Sequence, residues 1–193
     1  VSTNDEVVHG IPRADKILKE GDVVGIDIGM LWPASANLRF ADSFGKARAT
    51  AGKPASQMSN VKGQMSGLYT DMAVTVGVGK IDLASQKLIE VTRDALTIGI
   101  AAAIGDNYTG DIGFAIESFV RPYKYGIVRE LAGHGVGYKI HEDPYVPNYG
   151  RQGKGVLLKP GMVIAIEPMI NEGGDAIILA DDNFTFKTRD GSR

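Results

Sequence analysis

Three carboxylates and one imidazole stand out by their settings: Asp27, Asp71, His134 and Glu167. Asp27 lies inside the apolar run Val23-Val24-Gly25-Ile26-Asp27-Ile28, and Glu167 inside Val163-Ile164-Ala165-Ile166-Glu167. A buried carboxylate is costly unless a cation or several donors meet it, and for Asp27 a solvent-facing place on an edge strand is the equal alternative. Asp71 opens a strand-like segment after Gly67-Leu68-Tyr69-Thr70, where a turn-capping role is the plain alternative. His134 stands between Gly133 and Gly135, and glycines let backbone approach a site closely. The chain has no cysteine, which excludes disulfides and thiolate metal sites. Oxygen and imidazole donors suit a hard or borderline divalent ion such as Mn, Fe, Co or Zn. Two such ions account for the convergence of several acids, and a metal pair acidifies water and polarises a carbonyl, which is hydrolytic chemistry. The remaining histidines are His9, in Val8-His9-Gly10-Ile11-Pro12, and His141, in His141-Glu142-Asp143-Pro144. Each is open to three readings: a metal ligand, a group that positions a peptide, or a surface residue beside a turn.

The elements that must carry these residues follow from periodicity. Val23 to Ile28 reads as a strand after the turn-like Glu20-Gly21-Asp22, and Tyr69 to Val78 as another. Residues 83–104 read as a helix, with Leu88, Val91, Ala95, Ile98 and Ala102 on one face and Asp82 as N-cap. A second helix follows Thr109, carries the stripe Ile112, Ala115, Ile116, Phe119 and Val120, and ends near Pro122. Val128 to Leu131 and Val163 to Glu167 read as strands. Ile177 to Leu179 and Phe184 to Lys187 read as a hairpin turned by Asp181-Asp182-Asn183. One internal echo links the halves of the chain. Leu18-Lys19-Glu20-Gly21-Asp22-Val23-Val24-Gly25-Ile26-Asp27 aligns with Leu158-Lys159-Pro160-Gly161-Met162-Val163-Ile164-Ala165-Ile166-Glu167, so that Asp27 falls on Glu167. Two turn-plus-strand units that each deliver a carboxylate predict a duplicated half-domain.

The length of 193 residues suits a single domain. A net charge of -2, from 21 basic and 23 acidic residues, speaks against a stable nucleic-acid partner or a polybasic membrane anchor. No apolar run reaches the roughly 18 residues that suggest a membrane span. Residues 31–66 lack periodicity and carry Arg39, Lys46, Arg48, Lys53 and Lys62 against Asp42 alone; they are expected to form a mobile insertion. Its basic excess suits contact with the ribosome, although a solvated loop is the plainer reading.

Taken in order, Asn4 to Pro12, Leu18 to Ile28, Asp71 with its strand, Arg129 to Gly137, His141 to Pro144 and Gly161 to Met169 resemble the type I methionine aminopeptidases. The resemblance covers most of the chain apart from residues 31–66, and it rests on the order and spacing of the motifs rather than on any single one. It implies the α+β pita-bread fold, an antiparallel curved sheet with helices on the outer face and two pseudo-symmetric halves. It also implies a metallo-exopeptidase that releases N-terminal Met from peptides and nascent chains, cytoplasmic and monomeric. Carried over by position, Asp27, Asp71, His134 and Glu167 are ligands of two divalent metal ions. Glu167 is in addition the general base, and His9 and His141 contact the scissile peptide. Ile140 and Phe184 fall at positions of the methionine pocket, where the family more often has an aromatic residue and a Trp. The family's fifth ligand is a Glu in a later strand, and the last Glu here is Glu172. The 193 residues are therefore expected to be a fragment with weak activity of its own. Prolidase-type pita-bread hydrolases, and a binding module that has kept the fold, are the alternatives.

Overall fold

The structure is a computed structural model that describes residues 1–33 and 67–193. Along the described chain run β1 (Ser2–Thr3), β2 (Glu6–Val8), β3 (Val23–Pro33), β4 (Gly67–Gly77), α1 (Leu83–Ala102), α2 (Thr109–Val120), β5 (Gly126–Ile127), β6 (Gly133–Gly135), β7 (Glu142–Val146), β8 (Ile170–Asn171), β9 (Ile177–Leu179) and β10 (Phe186–Thr188). A 3-10 turn at Arg121–Tyr123 contains Pro122 and closes α2, as the proline predicts. Strands pair antiparallel in the orders β1-β3-β4, β2-β10-β9, β5-β8 and β6-β7.

The β3–β4 pair is the longest ladder. Its register sets Asp27 opposite Ala73 and Gly29 opposite Asp71. Side chains alternate between faces along a strand, so Asp27 and Asp71 share one face and stand diagonally across the ladder. The strand is longer than its apolar core suggests: Leu31, Trp32 and Pro33 continue β3 and pair with Tyr69, Leu68 and Gly67. The insertion expected over residues 31–66 therefore does not begin at 31, and residues 34–66 lie outside the described residues.

The two helices form the core of the second half. Asp82 caps α1 by accepting a hydrogen bond from the Ser85 amide at 2.7 Å, and Asp111 accepts one from the Tyr108 amide at the start of α2, also at 2.7 Å. Leu88, Val91 and Ala95 of α1 pack with Ile112, Ile116 and Val120 of α2, against Ile127, Val146, Leu158 and Ile170. Burial of each large aliphatic side chain contributes about 1.5–3 kcal/mol. Gly113 of α2 lies directly under the loop after β7: a Cβ there would sit 2.2 Å from the Tyr149 carbonyl oxygen and 2.7 Å from that of Pro147. Gly113→Ala gains helix propensity of about 1 kcal/mol but forces two backbones apart. The overlap is with backbone rather than with a flexible side-chain end, so the steric cost wins. Chemical denaturation of the full-length variant is expected to show a loss of about 1–3 kcal/mol.

The internal echo has a structural counterpart. Gly21 and Gly161 both take positive φ, +95° and +91°. Each turn is closed by the same hydrogen bond, Asp22 N to Lys19 O at 3.1 Å and Met162 N to Lys159 O at 3.2 Å. The strands that follow differ. Val23 opens a regular strand, whereas Val163 to Glu167 forms only an isolated bridge, Ile164 with Gly135, plus a few ladder bonds to residues 134–136. The strand expected at Val128 to Leu131 is likewise replaced by β5 just before it, because the chain bends at Arg129–Glu130.

Candidate metal centre

Four separate segments bring the site together. Asp27 comes from β3 and Asp71 from β4, His134 from β6, and Glu167 from the irregular stretch that β6 partly pairs. That stretch keeps an alternating pattern although it is not a regular strand: Ile164 and Ile166 pack on the helical core, while Ala165 exchanges both backbone hydrogen bonds with His134. The glycines around His134 are required by close approach. A Cβ at Gly133 would lie 2.2 Å from the Ala165 carbonyl oxygen, and one at Gly135 2.1 Å from that of Asp143. The Gly-His-Gly sequence is thus what lets β6 lie between β7 and the segment that carries Glu167.

The imidazole of His134 is fixed by one bond. Its Nδ1 lies 2.8 Å from the Gly135 carbonyl oxygen. A carbonyl only accepts, so Nδ1 donates, and in the neutral ring Nε2 is a bare lone pair. Nε2 is 3.0 Å from Glu167 Oε1 and 3.6 Å from Asp71 Oδ2. The contact with Glu167 lacks hydrogen-bond geometry, and Oε1 is buried without a hydrogen-bond partner among the described residues. The imidazole Nε2 and two carboxylate oxygens therefore face one another with no hydrogen bond assigned among them. That arrangement fits a divalent cation, and a carbonyl-anchored imidazole is how a ligating histidine is oriented.

The electrostatics point the same way. Burial pushes the Glu167 carboxyl up to about 7; the nearby Asp71 and Asp27 carboxylates add to the rise and His134 opposes it. Asp27 is also raised, by partial burial first and then by the Asp71 carboxylate within hydrogen-bonding reach. Asp27 is nevertheless exposed, which matches the solvent-facing alternative for its strand. Its neighbour Ile28 is 56% exposed.

His141 joins the cluster from the end of the β6–β7 connection. Its ring stands edge-on to His134 with centroids 4.3 Å apart, and one ligand atom from each of Asp71, His134 and His141 lies within 4.8 Å of the others. His9 follows β2 with φ +60°, and its carbonyl oxygen lies 3.2 Å from Oγ1 of the buried Thr185, whose hydroxyl has Asp182 Oδ2 as its nearer acceptor at 2.7 Å. It is close enough to Asp27 to favour that carboxylate's charge. Phe184 is exposed and leans on the His9 ring at 5.2 Å, while Ile140 packs on Gly29 of β3, which pairs with Asp71. Two residues escaped the sequence reading. Phe186 also meets His9, edge-on with centroids 6.0 Å apart, and Asn148, fully buried, donates from Nδ2 to the Glu167 carbonyl oxygen at 2.6 Å. Phe186 lies two residues beyond Phe184 and was legible; Asn148, between Pro147 and Tyr149-Gly150, reads as a turn residue.

The fold is of the pita-bread type. Residues 58–185 match metallopeptidase family M24, and the chain belongs to that family, with which divalent metal binding comes. It is 37% identical to methionine aminopeptidase 1 of Bacillus subtilis over 193 residues, covering 100% of this chain and 64% of the relative. It is 35% identical to the methionine aminopeptidase of Clostridium acetobutylicum over 191 residues, covering 99% and 63%. The solved methionine aminopeptidase of Thermotoga maritima superposes with a TM-score of 0.79 at 36% identity, over 100% of this chain and 64% of that one. The prolidase of Pyrococcus furiosus, at 22% identity and a TM-score of 0.62, shares the fold alone. The chain thus spans just under two thirds of the length of the curated relatives it matches. Among the described residues no helix is long and apolar enough to cross a membrane.

Proposed function

We propose that the full-length protein is a metal-dependent aminopeptidase that removes N-terminal methionine from peptides and nascent chains, acting as a cytoplasmic monomer. The observation that carries the reading is the buried, partnerless Oε1 of Glu167 facing the lone pair of His134 and the carboxylate of Asp71. The names of its relatives from Bacillus and Clostridium support the same substrate. Asp27, Asp71, His134 and Glu167 would hold two divalent ions of the Mn, Fe, Co or Zn class. When bound, the ions supply Lewis acidity that activates water near neutral pH.

The chain's own residues do the rest. Glu167 is the general base: its carboxylate, directed at His134 and Asp71, takes a proton from water and returns it. His9 and His141 donate to the scissile peptide, His9 from a backbone beside Thr185 and His141 from an exposed ring beside His134. Ile140 and Phe184 offer apolar surface to the methionine side chain. The test is release of methionine from Met-Ala by full-length protein, stripped with chelator and then reloaded with Mn, Fe, Co or Zn. Turnover that returns with metal, and is far faster than on Xaa-Pro dipeptides, is expected. No turnover of Met-Ala with any of the four metals overturns the reading.

A further inference from the structure

We infer that Asn148 is a positioning residue for the metal centre, holding the Glu167 peptide in place of a missing rung of backbone ladder. The inference rests on the metal-centre reading of Glu167 given above. Around Glu167 the backbone is pinned on both sides. Ala165 exchanges bonds of 2.7 and 3.2 Å with His134, the Val136 amide donates to Val163 O at 3.1 Å, and the Val128 amide donates to Met169 O at 3.1 Å. Between these rungs the facing chain bends away at Arg129–Glu130. The Glu167 carbonyl oxygen instead receives the Nδ2 group of Asn148 at 2.6 Å. Because the acceptor is a carbonyl, Nδ2 is the atom that must face it.

Asn148 is itself rigidly held. It is 0% exposed, and its loop lies on α2 where Gly113 admits the carbonyls of Pro147 and Tyr149. Its remaining polar atom, Oδ1, is buried without a hydrogen-bond partner among the described residues. A buried acceptor left unpaired is costly, so stability alone is a poor reason for asparagine at this position. An apolar residue of the same shape would remove that unpaired oxygen but leave the Glu167 carbonyl without this donor, so the two costs offset and stability gives little reason for asparagine. The amide therefore acts on the site: it sets the height and tilt of the Glu167 peptide, and with them the direction of the carboxylate toward His134 and Asp71. Groups one step removed from a metal ligand that orient it typically control affinity by about 10–100-fold.

The test compares Asn148→Leu and Asn148→Ala with a matched control, Asn171→Leu, in full-length protein. Asn171 is also buried, 2% exposed, and its Nδ2 also donates to a backbone carbonyl, that of Gly174 at 2.8 Å, but at β8. Calorimetric titration with Mn is expected to show about 10–100-fold weaker binding in N148L and N148A, and wild-type affinity in N171L. With Met-Ala, kcat of the Asn148 variants is expected to fall while KM stays within about twofold. N148L keeps the branching of the side chain but is bulkier, whereas N148A is smaller, so whichever of the two folds carries the test. Mn affinity and kcat of N148L within about twofold of wild type overturn the proposal, as does an equal loss of affinity in N171L. Mn binding is read separately from cleavage. Wild-type protein that binds Mn without cleaving Met-Ala sinks the aminopeptidase reading, whereas unchanged affinity in N148L sinks the positioning role. Wild-type protein that binds no Mn overturns both.

Discussion

Glu167→Gln in the full-length protein is expected to lower kcat/KM for Met-Ala by about 10³-fold, within the range for loss of a general base. The substitution keeps the shape of the side chain and the bond from Asn148 to the Glu167 backbone. It removes the charge and the basic oxygen that faces His134 Nε2 at 3.0 Å. A second readout comes from stability. In metal-free protein the Glu167 carboxyl is raised from the ordinary 4.5 to about 7, by burial first, with Asp71 and Asp27 adding to the rise and His134 opposing it. A folded-state pKa above the unfolded value means that the protonated form favours folding. Its contribution is complete below about 4.5 and is lost as pH rises through about 7. The metal-free protein should therefore have a higher Tm near pH 5 than near pH 8 on account of this group, and Glu167→Gln should flatten that part of the profile. Asp27, whose carboxyl is also raised, acts in the same direction and leaves a smaller residual slope. An activity loss below tenfold would remove Glu167 from the role of base.

His134→Ala is expected to weaken Mn binding by at least about 100-fold, more than loss of a group that merely orients a ligand. The side chain supplies the lone pair between Asp71 Oδ2 and Glu167 Oε1, and its removal leaves two carboxylates to share the ion. The fold should survive, because β6 depends on its backbone pairing with β7 and Ala165 and on the absence of Cβ atoms at Gly133 and Gly135. His141→Ala serves as the comparison. His141 is near enough to share an ion with Asp71 and His134, yet it is exposed and stands edge-on to the His134 ring. If it contacts the peptide, His141→Ala lowers kcat with little change in Mn affinity. Equal loss of affinity in both variants would make His141 the ligand in place of one of the four.

The sequence made the helices and the donor types legible, because each follows from local pattern. The stripe Leu88, Val91, Ala95 is buried as its spacing predicts, and the echo of Gly21 by Gly161 reappears as two turns with the same positive φ and the same closing bond. What sequence did not reveal depends on register and on long-range packing. Asp27 and Asp71 share a face because Gly29 stands opposite Asp71, a register set across a long connection whose residues 34–66 lie outside the described residues. Val163 to Glu167 has the alternation of a strand, but its partner chain bends away and a side-chain amide from residue 148 fills the gap. Apolar neighbours did not settle the burial of Asp27: Val23 and Val24 at the start of the strand are buried, whereas Asp27 and Ile28 further along it are exposed.

The most direct test is anomalous diffraction from crystals of full-length protein loaded with Mn. Anomalous peaks are expected within bonding distance of His134 Nε2 and of the carboxylates of Asp27, Asp71 and Glu167, with His9 and His141 outside the coordination sphere. Mn bound elsewhere, or none at these four residues in protein that cleaves Met-Ala, would contradict the assignment of the metal centre.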